Sequence, residues 1–115
     1  MSETVEVKTC ELEGPALDWA VAKADGWDFS KEYYRIMVQG YCPSTDWSQG
    51  GPLITEFLIE FRVEHARTIC SYLCDANGMY ISDGSYGDTH LIAACRAIVT
   101  AKLGETVSVP AERIK

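Results

Sequence analysis

A long apolar stripe near the C-terminus does most to limit the fold of this chain. Thr89 or Asp88 can cap the start of a helix, and Gly104 can end it, because these residue types suit the two helix ends. Between these bounds the apolar side chains recur at helical spacing: Leu91, Ile92, Cys95, Ile98, Val99 and Leu103. At ~1.5 Å per residue, about fourteen residues span about 21 Å, which is enough to cover one face of a small sheet.

A second helix is predicted near the N-terminus. Gly14-Pro15 can begin it, since proline suits the first helical position, and Gly26 can end it. Its apolar stripe has the same period and consists of Leu17, Ala20, Val21 and Ala24. The preceding stretch, 5–12, fits either a short strand or an extended arm.

Alternating apolar side chains predict strands elsewhere in the chain. Tyr33–Gln39 has this pattern over its whole length. Segments 68–74 and 79–82 predict a hairpin, because Asn77-Gly78 between them can take positive φ. Residues 107–110 are expected to form a brief extended tail.

The segment 53–63 fits two structures, because its apolar residues match both helical spacing and strand alternation. We expect a short helical turn beginning near Pro52, followed by an extended stretch. The elements together predict a single α+β domain over residues 1–115. Its two main helices, at about 15–25 and 89–103, would pack on a small, mainly antiparallel sheet.

Composition and charge limit the functions open to the chain. Its 115 residues are enough for one domain with a buried core, and a hydrophobic content of 47% is ordinary for a soluble protein. The net charge is −7 and the ten lysines and arginines are scattered, so we expect no direct binding of nucleic acid. No apolar run approaches the ~20 residues that span a bilayer, so no membrane partner is expected. The acidic start lacks the pattern of a secretory signal, which predicts a cytoplasmic protein.

Five cysteines at irregular spacing do not form the regular framework of a disulfide-rich secreted domain. One hypothesis is a zinc site with the ligands Cys70, Cys74, Cys95 and either His65 or His90. The other is that the thiols pack as small hydrophobes, and we prefer it because zinc ligands usually occur in two close pairs. We therefore expect neither a metal nor a cofactor.

The central segment Tyr41–Pro52 has the composition of a structured loop, since turn-forming prolines and glycines alternate with short polar side chains and two large aromatic rings. Its candidate binding residues are Tyr41, Ser44, Thr45, Asp46, Trp47, Gln49, Gly50 and Gly51. We expect this segment to matter either for the structure or for a contact with another molecule.

Both interpretations of this loop stay open. In the structural one, the side chains of residues 44–46 accept hydrogen bonds from backbone amides, Trp47 fills the core, and the glycine pair allows a sharp entry into the next element. In the functional one, Asp46, Trp47 and Gln49 form a surface for a partner or a ligand. We prefer the structural interpretation, because a tryptophan in a small domain is usually needed for burial.

No catalytic residue is predicted. His90 and Cys95 lie five residues apart on the final helix, so they would point in different directions, and Cys95 belongs to the apolar stripe. Asp46 is the only acid that the sequence places in an apolar setting, and no second carboxylate is an obvious partner for acid–base chemistry.

Three blocks of sequence, Gly14–Ala24, Ser44–Ile54 and Gly87–Gly104, are followed by the tail Val107–Pro110. In this order they resemble the NinX-like proteins of lambdoid phages and prophages, although His90 replaces an expected proline. The resemblance implies an accessory phage or prophage gene product that acts in the bacterial cytoplasm, and it provides no catalytic residues to transfer.

We therefore expect a non-enzymatic accessory protein that binds a host or phage protein. The alternative is a small enzyme or ligand-binding domain that uses the 41–52 loop. The alternative requires a concave pocket that contains Asp46 and another polar side chain, whereas protein binding requires an exposed apolar patch.

Overall fold

The computed structural model describes residues 3–27 and 40–114, and it has an α+β architecture. The three helices of this part of the chain are α1 (Gly14–Ala24), α2 (Trp47–Glu56) and α3 (His90–Leu103). The strands are β1 (Thr4–Lys8), β2 (Ile59–His65), β3 (Thr68–Leu73), β4 (Ser85–Gly87) and β5 (Thr106–Pro110). The predicted fold class is thus confirmed, whereas the predicted strand Tyr33–Gln39 lies outside the described residues.

The strands form two antiparallel sheets. In one, β1 pairs with β5, so the two ends of the described chain are joined. In the other, β3 lies between β2 and β4, and Phe61 of β2 is opposite Ser71 of β3. The alternatives for the N-terminal stretch are thereby resolved in favour of a strand, and the C-terminal tail is its partner.

Helix α3 covers one face of the three-stranded sheet, as its apolar stripe predicts. The Thr89 side chain accepts a hydrogen bond from the backbone N–H of Ile92 at 3.1 Å, and Gly104 ends the helix at a φ of 100°. The Ser71 hydroxyl donates to the carbonyl oxygen of Ala93 at 2.6 Å, which ties the central strand to the helix. The largest fully buried aliphatic side chains come from α1, α3 and the chain ends: Leu12, Leu17, Val21, Ile98, Val99 and Val109.

The start of helix α2 differs from the prediction. A helical turn was expected near Pro52, but the helix begins at Trp47 and contains Pro52 in its interior. The Asp46 side chain caps it by accepting a hydrogen bond from the backbone N–H of Ser48 at 2.9 Å. The two glycines disfavour a helix locally, and the cap together with tertiary packing overrides that preference. An extended stretch does follow, as β2.

The predicted hairpin of 68–74 with 79–82 is also corrected. Its turn exists, since the backbone N–H of Gly78 donates to the carbonyl oxygen of Asp75 at 2.9 Å and Gly78 has a φ of 82°. Beyond the turn, however, the pairing is short: Cys74 and Tyr80 form an isolated bridge, and the backbone N–H of Ile81 donates to the carbonyl oxygen of Leu73 at 2.8 Å. The backbone N–H of Leu73 donates to the hydroxyl of Ser82 instead of to a backbone carbonyl, so the pairing stops there, and the chain pairs with β3 again only as β4.

Candidate functional site

The loop before α2 is closed by its own hydrogen bonds. The backbone N–H of Cys42 donates to Gln49 Oε1 at 2.8 Å, and Gln49 Nε2 donates to Asp46 Oδ2 at 3.2 Å. The backbone N–H groups of Thr45 and Asp46 both donate to the carbonyl oxygen of Cys42, at 3.1 and 3.0 Å. Gln49 and Asp46 therefore hold the loop in shape, as the structural interpretation predicts for Asp46.

A buried carboxylate from α1 holds the other side of this loop. Asp18 is only 4% exposed, and its Oδ1 accepts a hydrogen bond from the backbone N–H of Ser44 at 2.9 Å. Burial raises the pKa of Asp18, while hydrogen bonding from Ser44 and the charge of Arg113 partly oppose the shift. The expectation that Asp46 is the acid in an apolar setting was wrong.

Asp46 instead lies at the protein surface, where Ser48 donates two hydrogen bonds to its carboxylate. Its Oδ1 accepts from the hydroxyl of Ser48 at 2.7 Å as well as from the Ser48 amide. These bonds, together with those from Gln49, lower the pKa of the Asp46 carboxyl. An ionised, fully engaged carboxylate suits a helix cap and is poorly suited to proton transfer.

Close backbone packing accounts for Gly50. A Cβ atom at this position would overlap the carbonyl oxygen of Pro43 and would lie 2.8 Å from Leu91 Cδ2. Pro43 itself is fully buried. Gly50 therefore serves the packing of α2 rather than a sharp entry into it, whereas Gly51 has only an ordinary contact, with the ring of Trp47 at 3.8 Å.

The Trp47 side chain is at the surface, which contradicts the expectation that it fills the core. It is 58% exposed, because the buried positions of α2 are those of Gly50 and Leu53. The centroid of its ring lies 6.4 Å from that of His90, and the His90 ring meets Phe61 edge-on at 5.0 Å. Trp47, His90 and Phe61 thus form an aromatic group at the start of α2 and α3, which we call the Trp47 surface.

The remaining candidate residues of the loop contribute to its structure. Tyr41 is half-buried, with its ring centroid 4.4 Å from that of Trp27, and burial followed by the charge of Asp25 raises its pKa. The exposed Thr45 hydroxyl donates to the carbonyl oxygen of Cys42 at 3.4 Å, so the prediction that it accepts from a backbone amide was wrong. Of the eight candidates, Trp47 is the one whose large apolar side chain faces solvent.

A match to a known protein family covers the helices and the loop described above. A family model described as bacteriophage P22 NinX matches residues 8–102. The chain belongs to this NinX family. The match includes α1, the 40–46 loop, α2 and nearly all of α3, so the resemblance of the three sequence blocks is confirmed. A comparison with curated proteins finds no match.

The NinX match is consistent with a phage accessory protein. Within residues 3–27 and 40–114, no helix is long and apolar enough to cross a membrane. Nor does the described part of the chain contain a group of three or more histidine, cysteine or acidic side chains that could hold a metal ion.

Cys95 and His90, the residues weighed above as a nucleophilic pair, lie in different surroundings. Cys95 is in the core, where burial and then the negative charge of Asp18 raise its pKa to about 12. His90 packs against the ring of Phe61. A thiol with so high a pKa is almost entirely protonated at neutral pH and is a poor nucleophile.

Sequence analysis missed an open cleft of about 1220 Å³. It lies between segment 80–86, the C-terminal half of α3 and residues 8–10, so its walls come from distant parts of the chain. Neither Asp46 nor Trp47 lines it. The buried Asp18 was missed as well, although its position three residues before Val21 places it near the inner face of α1.

Proposed function

We propose that the protein is a non-enzymatic phage or prophage accessory protein that binds a host or phage protein in the bacterial cytoplasm. The observation that carries this proposal is the exposed indole of Trp47 on a backbone held by hydrogen bonds. Exposed tryptophans contribute strongly to protein interfaces, and a fixed backbone reduces the entropy that binding costs.

The face of β2 that carries Phe61 adds apolar area to the Trp47 surface. Phe61 and Val63 lie on the same face of β2, because side chains alternate along a strand, and Val63 is exposed. Phe61 also contacts His90, which approaches the Trp47 ring. An aromatic residue surrounded by smaller apolar and polar groups is a common composition for the centre of a protein interface.

The alternative of an enzyme or ligand-binding domain that uses the 41–52 loop receives less support. Asp46 is engaged by Ser48 and Gln49, and the open cleft of about 1220 Å³ is lined by other residues. Asp18, the buried acid of this region, accepts a backbone hydrogen bond that holds the loop. These roles favour a structural loop that presents Trp47 to a partner.

Affinity capture from infected or lysogenic cells tests this function. Tagged parent protein, Trp47→Ala and Val5→Ala would be compared, because Val5 is an exposed apolar residue on β1 and serves as the control. We expect the parent and Val5→Ala to retain the same host or phage protein and Trp47→Ala to lose it. Equal capture by all three proteins, or no specific protein with the parent, would contradict the proposal.

A further inference from the structure

Strand β2 forms one edge of the three-stranded sheet, because β3 lies between it and β4. Its residues after Phe61 are all exposed, and Val63 has 60% of its surface in contact with solvent. An edge strand presents a row of N–H and C=O groups that its own sheet does not use. Another strand can therefore be added to the sheet along β2.

The hydrogen bonds of Leu73 show which backbone groups of β2 point outward. Leu73 lies opposite Ile59, yet both its N–H and its carbonyl oxygen bond to segment 79–82, away from β2. Ile59 and Leu73 are therefore a non-hydrogen-bonded pair, and the backbone groups of Ile59 point to the open edge. Because this direction alternates along a strand, the backbone groups of Phe61 and Val63 point there as well. Within the described part of the chain, no hydrogen bond from outside the sheet reaches these three residues.

The side chains of β2 give the open edge a defined pattern of charge. Ser71 points towards α3 and lies opposite Phe61, so Phe61 and Val63 are on the α3 side of the sheet. Glu60 and Arg62 are on the other side, and both are exposed. Arg62 has no ion-pair partner among the residues that the structure describes. The edge thus carries an acid and a base on one face and apolar side chains on the other.

We propose that β2 pairs antiparallel with β2 of a second copy of this chain, with the Phe61 residues of the two copies opposite each other. In this register the outward-pointing backbone groups form the hydrogen-bonded pairs, which are Phe61 with Phe61 and Ile59 with Val63. Glu60 of each copy lies opposite Arg62 of the other in a non-hydrogen-bonded pair, where side chains are closest. About six backbone hydrogen bonds would join the two copies.

The charges of β2 select this register. Pairing centred on Arg62 would place the two Arg62 side chains opposite each other and Glu60 opposite Glu64, and like charges across strands are destabilising. Pairing centred on Val63 would place the irregularity of the strand that follows Val63 inside the interface, where a bulge disrupts the ladder. The charge pattern is thus complementary to itself when the pairing is centred on Phe61. This self-complementarity is the reason to infer a second copy rather than a strand of another protein.

The inference goes beyond the proposed function, because dimerisation needs no host or phage protein. Phe61 and Val63 lie both at the open edge and beside Trp47, so each property is tested through residues that the other does not need. Trp47 lies on α2 and contacts the partner, whereas Glu60 and Arg62 lie on the side of β2 away from α3 and join the dimer. Failure of dimerisation therefore leaves partner capture open to measurement, and the reverse is also true.

Sedimentation velocity of the purified full chain, from micromolar to millimolar concentrations, tests the dimer. We expect a reversible dimer in the parent. Glu60→Arg and Arg62→Glu should each raise the Kd of the dimer at least about tenfold, because two ion pairs become two like-charged pairs. An equal mixture of these two variants should form a heterodimer with about the Kd of the parent, because each introduced side chain then meets the opposite charge. Recovery in the mixture would also show that both variants are folded.

Glu64→Arg is the matched control, because it changes the net charge by the same amount as Glu60→Arg. In the proposed register Glu64 lies beyond the paired residues, so the Kd of this variant should stay within about twofold of the parent.

Amide hydrogen exchange of the unaltered protein locates the pairing. The N–H groups of Ile59, Phe61 and Val63 should exchange rapidly in dilute protein and slowly at concentrations where the dimer forms. The N–H groups of Glu60 and Arg62 point towards β3, so they should exchange slowly at every concentration.

Three results would overturn the inference. The first is a chain that stays monomeric at millimolar concentration, and the second is a mixture of Glu60→Arg and Arg62→Glu that dimerises no better than either variant alone. The third is slow exchange of the outward N–H groups in dilute, monomeric protein. Another part of the chain would then occupy the edge, such as the predicted strand Tyr33–Gln39, which lies outside the described residues. A Kd raised as much by Glu64→Arg as by Glu60→Arg would likewise contradict the proposed register.

Discussion

Asp18 Oδ1 accepts a hydrogen bond of 2.9 Å from the backbone N–H of Ser44, and both residues are buried. This bond joins α1 to a loop 26 residues further along the chain. Together with the contacts of Gln49 and Gly50, it fixes the base of the loop from which Trp47 projects. The fold thus depends on the inner residues of the loop, which leaves the exposed indole available for binding.

The first prediction concerns the pH dependence of stability through Asp18. Burial raises the pKa of Asp18 in the folded protein above its ordinary value of 3.8, so the folded state binds this proton more tightly than the unfolded state. The free energy of unfolding of the parent should therefore fall, relative to Asp18→Asn, as the pH rises from the ordinary value through the raised one. The asparagine can still accept the Ser44 hydrogen bond through its amide oxygen.

Urea unfolding of the parent and Asp18→Asn over a series of pH values measures this difference. Asp88→Asn is a suitable control for the loss of one charge, because Asp88 is an exposed aspartate that pairs with Arg67. A parent that instead gains stability relative to Asp18→Asn as the pH rises would contradict the prediction, because it would show that the fold stabilises the charged carboxylate.

The adjacent glycines of α2 should respond oppositely to alanine. Gly50→Ala would place a Cβ atom against the carbonyl oxygen of Pro43 and the side chain of Leu91, so we expect a loss of at least about 2 kcal/mol. Gly51→Ala would meet only the Trp47 ring at an ordinary distance of 3.8 Å. Because alanine favours a helix more than glycine does, Gly51→Ala should stabilise the protein by about 0.5–1 kcal/mol. Denaturant unfolding of both variants checks the pair, and equal effects would show that the packing around Gly50 is misassigned.

Local sequence patterns were sufficient for the elements whose ends and apolar faces are encoded nearby. Helix α3 has its cap at Thr89 and its end at Gly104, and α1 has Pro15 in its first turn, so both were placed to within about a residue. Helix α2 was placed too late, because Gly50 and Gly51 are weak helix formers and the packing against Pro43 is not visible in the local sequence.

Several residues of the 41–52 loop were given wrong structural roles. The direction of the Trp47 side chain depends on where α2 begins and on which face of it packs, and neither could be derived from the loop composition. The partner of Asp18 lies on a distant segment, so its burial depended on tertiary structure. Segment 79–82 was predicted to pair regularly with β3, and its alternation does not show that the Ser82 hydroxyl takes the Leu73 N–H and ends the pairing.

The accessibility of the cysteines gives a chemical test of the core. Cys10 is exposed, whereas Cys70 and Cys95 are buried, and the Cys95 pKa of about 12 leaves little thiolate at pH values near 8. We expect iodoacetamide to modify Cys10 in the folded protein and to modify Cys70 and Cys95 only in denaturant. Peptide mass mapping after timed labelling measures this order. Native-state labelling of Cys95 at the rate of Cys10 would refute the assigned burial.

Asp46 should matter for stability, because it caps α2. Replacement by alanine removes the acceptor for the Ser48 amide and hydroxyl and for the Gln49 side chain, so we expect the Tm to fall. Asp46→Asn keeps one acceptor oxygen and should fall less. Thermal unfolding followed by circular dichroism compares the two, and an unchanged Tm for Asp46→Ala would show that the cap is dispensable.

We conclude that the inner residues of the loop hold its structure while Trp47 is a contact residue, and the thermal unfolding of Trp47→Ala tests this claim. Because the indole is 58% exposed, its removal should change stability by no more than about 0.5 kcal/mol, which corresponds to a Tm within about 4 °C of the parent. Gly50→Ala, measured alongside, should unfold at a much lower temperature. A loss of about 3 kcal/mol or more in Trp47→Ala, which is typical of a buried tryptophan, would contradict the claim.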